Sequence, residues 1–356
     1  MTKILSILIP TFFSLSTYAQ GDITQYLKTH HYYFTLDKGF DRQTTDTLKQ
    51  KLSAYKLILQ AEGGSHDLNI YKKIPLVWIT FLNQYFGLTN IFLEFGHSSA
   101  VCANNYLLTN DTSNLYNSSS IAYWQQYFKL NSTLPDERKV KFFGIDFNRP
   151  TSYFKALKKI IPNKQSPENI RSSIELIKAE NNSLKDCSYI IDFNTNLKKD
   201  LITNKQDYMA YLGHNYKDFE RIVMSKGTCN DVYKNRNYNI ADNFLSFDTE
   251  SNDSIYYGEL GMAHTILKNK VAATIINNSP KFRDKVCVVN LYCYNCSTNK
   301  EQVSNWPLKK IEKDILEYFL PFCNSDFTLF DLSDNIELMK KYSDYGQYLI
   351  IAKNQN

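Results

Sequence analysis

Apolar residues fall along this chain in two patterns. Short runs rich in β-branched and aromatic residues recur at Leu57–Leu59, Ile91–Phe95, Val140–Phe147, Ile255–Tyr257, Val286–Tyr292, Phe327–Leu332 and Tyr348–Ile351. Such runs predict strands. Between them lie longer amphipathic stretches. Ser166-Pro167-Glu168 opens one of these, Pro167–Leu184, with a capping residue, a proline at the first helical position and an acid in the first turn. Lys205–Lys226, ending before Gly227, and Val232–Phe247 continue the helical pattern. Strands alternating with helices predict the α/β class, with a largely parallel central sheet flanked by helices. The three consecutive helical stretches predict a helical insertion around residues 165–247. There is no internal repeat, low-complexity tract or Pro/Gly/Ser linker, so residues 20–356 are expected to form a single domain.

The first nineteen residues follow a different rule. Lys3, the apolar stretch Ile4–Leu15 and Thr17-Tyr18-Ala19 have the charge, apolar core and small-residue cleavage site of a secretory signal peptide over residues 1–19. The core is shorter than the ~20 residues a spanning helix needs, and Pro10 interrupts it. A mature chain beginning at Gln20, secreted or periplasmic, is the expectation. No later stretch is long and apolar enough to span a bilayer.

Composition narrows the class further. A chain with 43% apolar residues, 26 Tyr and 22 Phe is expected to bury a sizeable core. The net charge of +5 is small for this length, and Lys and Arg are scattered rather than clustered. Nothing therefore points to nucleic acid or an anionic membrane as a partner; a small-molecule substrate is the expectation. In an oxidising compartment one or more disulfides are expected among Cys102, Cys187, Cys229, Cys287, Cys293, Cys296 and Cys323, and an odd number leaves one unpaired. Cys293 and Cys296 have the spacing of half a zinc ribbon, but no second such pair exists to complete four ligands. A local disulfide or two ordinary thiols fits that pair better.

Parallel sheets bind ligands beyond the carboxyl ends of their strands, where side chains converge. Glu62 and His66 follow the first predicted strand. Glu94 and His97 end the second, Asp146 ends the third, and Glu259 and His264 follow the fourth. Four consecutive strands thus bring acids or histidines to one edge. A carboxylate inside "TNIFLEFG" is costly to bury unless paired, so Glu94 calls for a partner, and an imidazole is one. Histidine suits proton abstraction from water near neutral pH, and a carboxylate on its second nitrogen fixes the tautomer. Gly63 and Gly64 allow a tight turn whose amides could approach a substrate or an oxyanion. The bland alternatives stand alongside: Glu94 as a helix cap or the partner of a lysine, and His97 as an ordinary polar residue opening the next helix.

Five segments carry a family resemblance: "AEGGSHD" (61–67), "IFLEFGHS" (91–98), "VKFFGIDF" (140–147, read from Val140), "RNYNIADN" (236–243) and "GMAHT" (261–265). In order and separation they resemble the erythromycin esterase-like superfamily, α/β hydrolytic proteins remotely similar to haem- or metal-handling and Tiki-type proteins. The resemblance implies His66 as the general base that activates water, and Glu62 and Glu94 as its acidic partners. It also implies His264 as the residue that stabilises the oxyanion or protonates the leaving group. Arg236, Asp146 and His97 are implied in substrate binding or in holding the site together, with an Arg236–Asp146 ion pair as the structural alternative. The first motif has one extra residue between acid and histidine, and the late motif keeps a single histidine. Macrolide esterase activity in particular is therefore not implied. His214, in "YLGHNYKDF", is read as a helical surface residue.

Three functions from different classes follow. The first is a secreted hydrolase of esters or lactones that uses water directly, without a covalent serine intermediate, since no Gly-x-Ser-x-Gly elbow is present; it calls for no cofactor. The second is a metal-binding or metal-dependent hydrolase in which Glu62, His66, Glu94 and His264 hold a divalent ion such as Zn. The third is a non-catalytic ligand-binding protein with an aromatic cleft.

Overall fold

Nine strands form among the described residues, seven of them where the short apolar runs lie, in a computed structural model that describes residues 23–63, 70–115, 120–180, 186–227, 235–248, 255–267, 270–297, 305, 308–342 and 345–354. They are β1 (His31–Thr35), β2 (Gly39–Phe40), β3 (Leu57–Glu62), β4 (Asn90–Gly96), β5 (Lys141–Asp146), β6 (Tyr256–Gly261), β7 (Val286–Tyr294), β8 (Phe327–Asp331) and β9 (Tyr348–Lys353). All seven predicted runs carry a strand. β1 and β2 are additional. The proposed signal peptide lies outside the described residues. Among those residues no helix is long and apolar enough to cross a membrane.

Contacts divide the chain into two compact units, each discontinuous in sequence: residues 1–77, 260–269 and 284–356, and residues 78–259 and 270–283. In the first, the strand order is β2-β1-β8-β9-β7-β3. β7 pairs in parallel with both β3 and β9, whereas β8 and β1 are antiparallel additions. β7 is buried along all but its last residue, the continuous apolar run of a strand covered on both faces. Phe319, Phe330, Tyr342 and Ile351 pack together in this unit's core. Lys51 enters the same unit to meet the fully buried Asp331, and reaches Asp334 at 2.6 Å. The six described cysteines carry free thiols. The Cys293 thiol is hydrogen-bonded to Cys296, which with burial pushes its pKa far above the ordinary thiol range.

In the second unit the order is β6-β4-β5, all parallel. β5 ends this order, and polar side chains satisfy its outer backbone groups. Asn131 brackets Val140, accepting from its N–H at 2.9 Å and donating to its carbonyl at 3.0 Å. Asn104 does the same to Phe142, with both bonds at 2.9 Å. Two asparagines thus protect an edge that would otherwise offer unpaired donors and acceptors.

The helical insertion follows β5. Its helices are Pro150–Ile160, Glu168–Ala179, Cys187–Thr203, Lys205–Leu212, Tyr216–Met224 and Arg236–Asp248. Ile170, Ile174 and Ile177 recur at helical spacing and are fully buried against Ile190, Leu197 and Phe219. The first predicted helix ends at Ala179 rather than Leu184, and Leu184 lies outside the described residues. Cys187–Thr203 begins a helix of its own, which Asp186 caps by accepting from the Tyr189 N–H at 2.8 Å. Gly213, at φ +58°, takes the left-handed conformation that breaks the predicted Lys205–Lys226 helix in two.

Candidate functional site

β4 and β5 approach each other unusually closely as they end, and two glycines make this possible. A Cβ on Gly144 would lie 2.4 Å from the Gly96 carbonyl group, and one on Gly96 would lie 2.5 Å from the Asn148 Cα. Only glycine fits at either position. The pairing register shifts between Leu93 and Gly96, and β4 runs straight into the helix His97–Thr109. Gly96 occupies the N-cap position of that helix and offers no side chain to cap it. Asn148, fully buried after β5, supplies the missing acceptor. Its Oδ1 takes the Ser98 N–H at 2.9 Å, and its Nδ2 donates to the Ile222 carbonyl at 3.0 Å.

This junction sets Glu94 and Asp146 at the carboxyl ends of adjacent parallel strands. Arg236, the first residue of the helix Arg236–Asp248, joins them. Its Nη2 donates to Glu94 Oε1 at 2.6 Å and to Asp146 Oδ2 at 2.5 Å, and its Nε lies 3.2 Å from both Asp146 oxygens. Its guanidinium also sits 5.8 Å over the Phe147 ring. Burial opposes the Arg236 charge, but the bonds from Asp146 and the charge of Glu94 outweigh it and raise its pKa. Two carboxylates thus share the Arg236 guanidinium. A guanidinium is therefore one partner of Glu94, which remains one-fifth exposed beside a nearly sealed Asp146.

A third acid ends the neighbouring strand. Glu259 on β6 pairs in register with Leu93, is 4% exposed and accepts from the Tyr123 hydroxyl at 3.3–3.4 Å. Its place at this sheet edge was expected, although no role was assigned to it; Tyr123 was not among the expected site residues.

In the first unit, Glu62 is the last residue of β3 and is partly exposed. His264 is buried on the short helix Met262–Thr265, which packs against β3. His66, the predicted base, lies outside the described residues. Among those residues, no three His, Cys, Asp or Glu side chains are grouped to hold a metal ion, and one of the four predicted ligands is His66 itself.

His97 goes elsewhere. It opens its helix, as the plainer sequence reading had it, with its ring 1% exposed and stacked on Phe143 at 6.0 Å. Nε2 meets Asp218 at 3.0 Å, while buried Nδ1 has no partner among the described residues. Burial lowers the His97 pKa, against the raising effect of Asp218. In this conformation the ring cannot reach a ligand at the Glu94 cluster, because it is sealed among Phe143, Phe247 and Asp218. His214 is exposed, on the turn Gly213–Asn215.

Acids at the strand ends of a largely parallel sheet, with a helical insertion supplying their cation, define the class as an α/β protein with a carboxyl-end site. No family model matches the chain, and no curated protein matches it in sequence. Solved structures do match in fold. A Bacillus cereus protein of 15% identity has a TM-score of 0.63, with 94% of this chain and 97% of that one covered. A succinoglycan biosynthesis protein of 10% identity has a TM-score of 0.61 over the same shares. An erythromycin esterase, EreC, in an open conformation has a TM-score of 0.55 at 12% identity, covering 89% of this chain and 94% of that one. The fold is therefore erythromycin esterase-like.

Proposed function

We propose that this chain is a secreted hydrolase that cleaves an ester or lactone of a small molecule with activated water and no serine nucleophile. The observation that carries the reading is the Arg236 fork, which fixes Glu94 and Asp146 at the carboxyl ends of two adjacent parallel strands. That end of a parallel sheet is where substrates bind, and burying two acids there is costly unless they serve a purpose. The fold likeness to an erythromycin esterase supports the same class.

In this reading His66 takes a proton from water as the water oxygen attacks the carbonyl carbon. Glu62 and Glu94 orient the imidazole and stabilise its positive charge. The tetrahedral oxyanion then collapses, and the alkoxide leaves with a proton donated by His264. Arg236 and Asp146 hold Glu94 in place and line the substrate side. Export follows from the leader at residues 1–19, and turnover requires no added metal.

The test is hydrolysis of a broad ester and lactone panel, macrolides included, by wild type and His66→Ala, both purified without metal. A general base contributes on the order of 10²–10⁴-fold, so a loss of at least about 100-fold in the variant is expected. Absence of turnover by wild type, with or without added Zn, would remove the hydrolase reading.

A further inference from the structure

The second unit holds a cavity whose chemistry differs from that of the Glu94 cluster. It measures about 400 Å³ and lies over the start of β5, walled by the helices His97–Thr109, Pro150–Ile160 and Tyr216–Met224. Lys141 and Phe143 line it, and both precede Asp146 on the same strand. At ~3.3 Å per residue, Lys141 is roughly 16 Å along the strand from Asp146, and strand alternation points the two side chains to opposite faces. The cavity is therefore separate from the Glu94 cluster.

Its charge is strongly one-sided. Lys141, Lys159, Lys217 and Arg221 line it against one carboxylate, Asp218, with His214 at the rim. Asp218 is already engaged, bonded to His97 and 3.8 Å from Arg221. Lys217 also reaches Glu220, at 3.4 Å. Arg221 is held in place by aromatic faces, its guanidinium 5.1 Å over Phe143 and 4.6 Å over Phe247. A guanidinium oriented in this way presents a planar fork suited to a tetrahedral oxyanion, and flexible lysines add charge around it. Elsewhere the chain's charge is dispersed, so gathering four cations around one concave space is not a general surface property.

We infer that this cavity is an anion site for a small phosphorylated molecule, with Arg221 as the fixed fork and Lys141, Lys159 and Lys217 as the surrounding charge. Its volume falls within the ~300–1,000 Å³ of small-molecule pockets, enough for a phosphoryl group with an attached organic moiety and too confined for a polymer. The site is independent of the hydrolase reading, since none of its residues belongs to that machinery.

Calorimetric titration of the full chain with inorganic pyrophosphate at low salt tests this inference. Three proteins are compared: wild type, Lys141→Ala/Lys159→Ala, and Lys309→Ala/Lys310→Ala, which removes the same charge from exposed positions elsewhere. Expected is saturable binding at one site per chain, weakened at least about tenfold in the first variant and within about twofold of wild type in the second. Melting temperatures without ligand should match, because the replaced lysines are exposed. No saturable binding by wild type, or equal weakening in both variants, would overturn the assignment.

Discussion

Two charged clusters in the second unit are assembled from similar parts. In one, Arg236 lies over Phe147 and holds Glu94 and Asp146. In the other, Arg221 lies over Phe143 and Phe247 and accompanies Asp218 and His97. Glu94 and His97 are only three residues apart in the sequence, yet they belong to different clusters. The first keeps an acid partly open at a strand end, while the second seals its imidazole. The strand-to-helix step at Gly96 makes the difference, because it leaves Glu94 on the strand and carries His97 into the packing of the helix. A polar residue near a strand end is thus a candidate only once the backbone path beyond it is known.

The junction itself should be the most sensitive point. Gly144→Ala forces a Cβ against the β4 backbone, and Gly96→Ala forces one against the backbone of Phe147 and Asn148 just after β5; either is expected to cost about 3 kcal/mol or more in denaturant unfolding. A loss of under about 1 kcal/mol would show that the strands separate freely and that the two clusters are not fixed by this step. Arg236→Met leaves two carboxylates facing each other. The expected cost is about 3 kcal/mol, at the low end for removing one partner of a buried pair because Arg236 is one-fifth exposed. Stability near wild type would mean that solvent already carries the charges of Glu94 and Asp146.

Asn148→Ala tests the link between β5 and the helix His97–Thr109. It removes the Ser98 and Ile222 bonds and is expected to cost about 1.5 kcal/mol. The smallest effect is a pH dependence. Burial depresses the folded pKa of His97, so as pH falls the unfolded chain binds this proton first. Stability from this group is complete above the unfolded value of about 6.5 and is lost as pH falls toward the folded value. His97→Gln should therefore show a shallower fall in melting temperature below pH 6.5 than wild type. Identical profiles would mean that His97 is not held neutral by its surroundings.

Much of the fold was legible because the signals are local. Apolar runs marked β3 through β9, and the helical insertion was visible in the Ser166-Pro167-Glu168 start and the amphipathic stretches that follow. β1 and β2 escaped because "HYYFT" is short, mixes polar with aromatic residues and becomes a strand only by pairing with β8. Of the site, Glu94 and Asp146 stood out as acids ending apolar runs, and Arg236 came through its motif. The nature of Glu94's partner was not legible, since Arg236 lies 142 residues away and reaches it only through the insertion. Glu259 was placed at the same edge from its strand, but its Tyr123 partner, 136 residues away in sequence, was not legible. Asn148 carries no sequence mark at all, as its role depends on the bare N-cap at Gly96.

The central claim is that the Glu94 cluster, not the His97 cluster, serves hydrolysis. The most direct measurement is turnover of the best substrate from the ester and lactone panel by wild type, Glu94→Gln and His97→Gln, with melting temperatures recorded alongside. The account predicts at least about a 100-fold loss in Glu94→Gln and activity within a few-fold of wild type in His97→Gln. Equal losses in both, or a loss confined to His97→Gln, would contradict it.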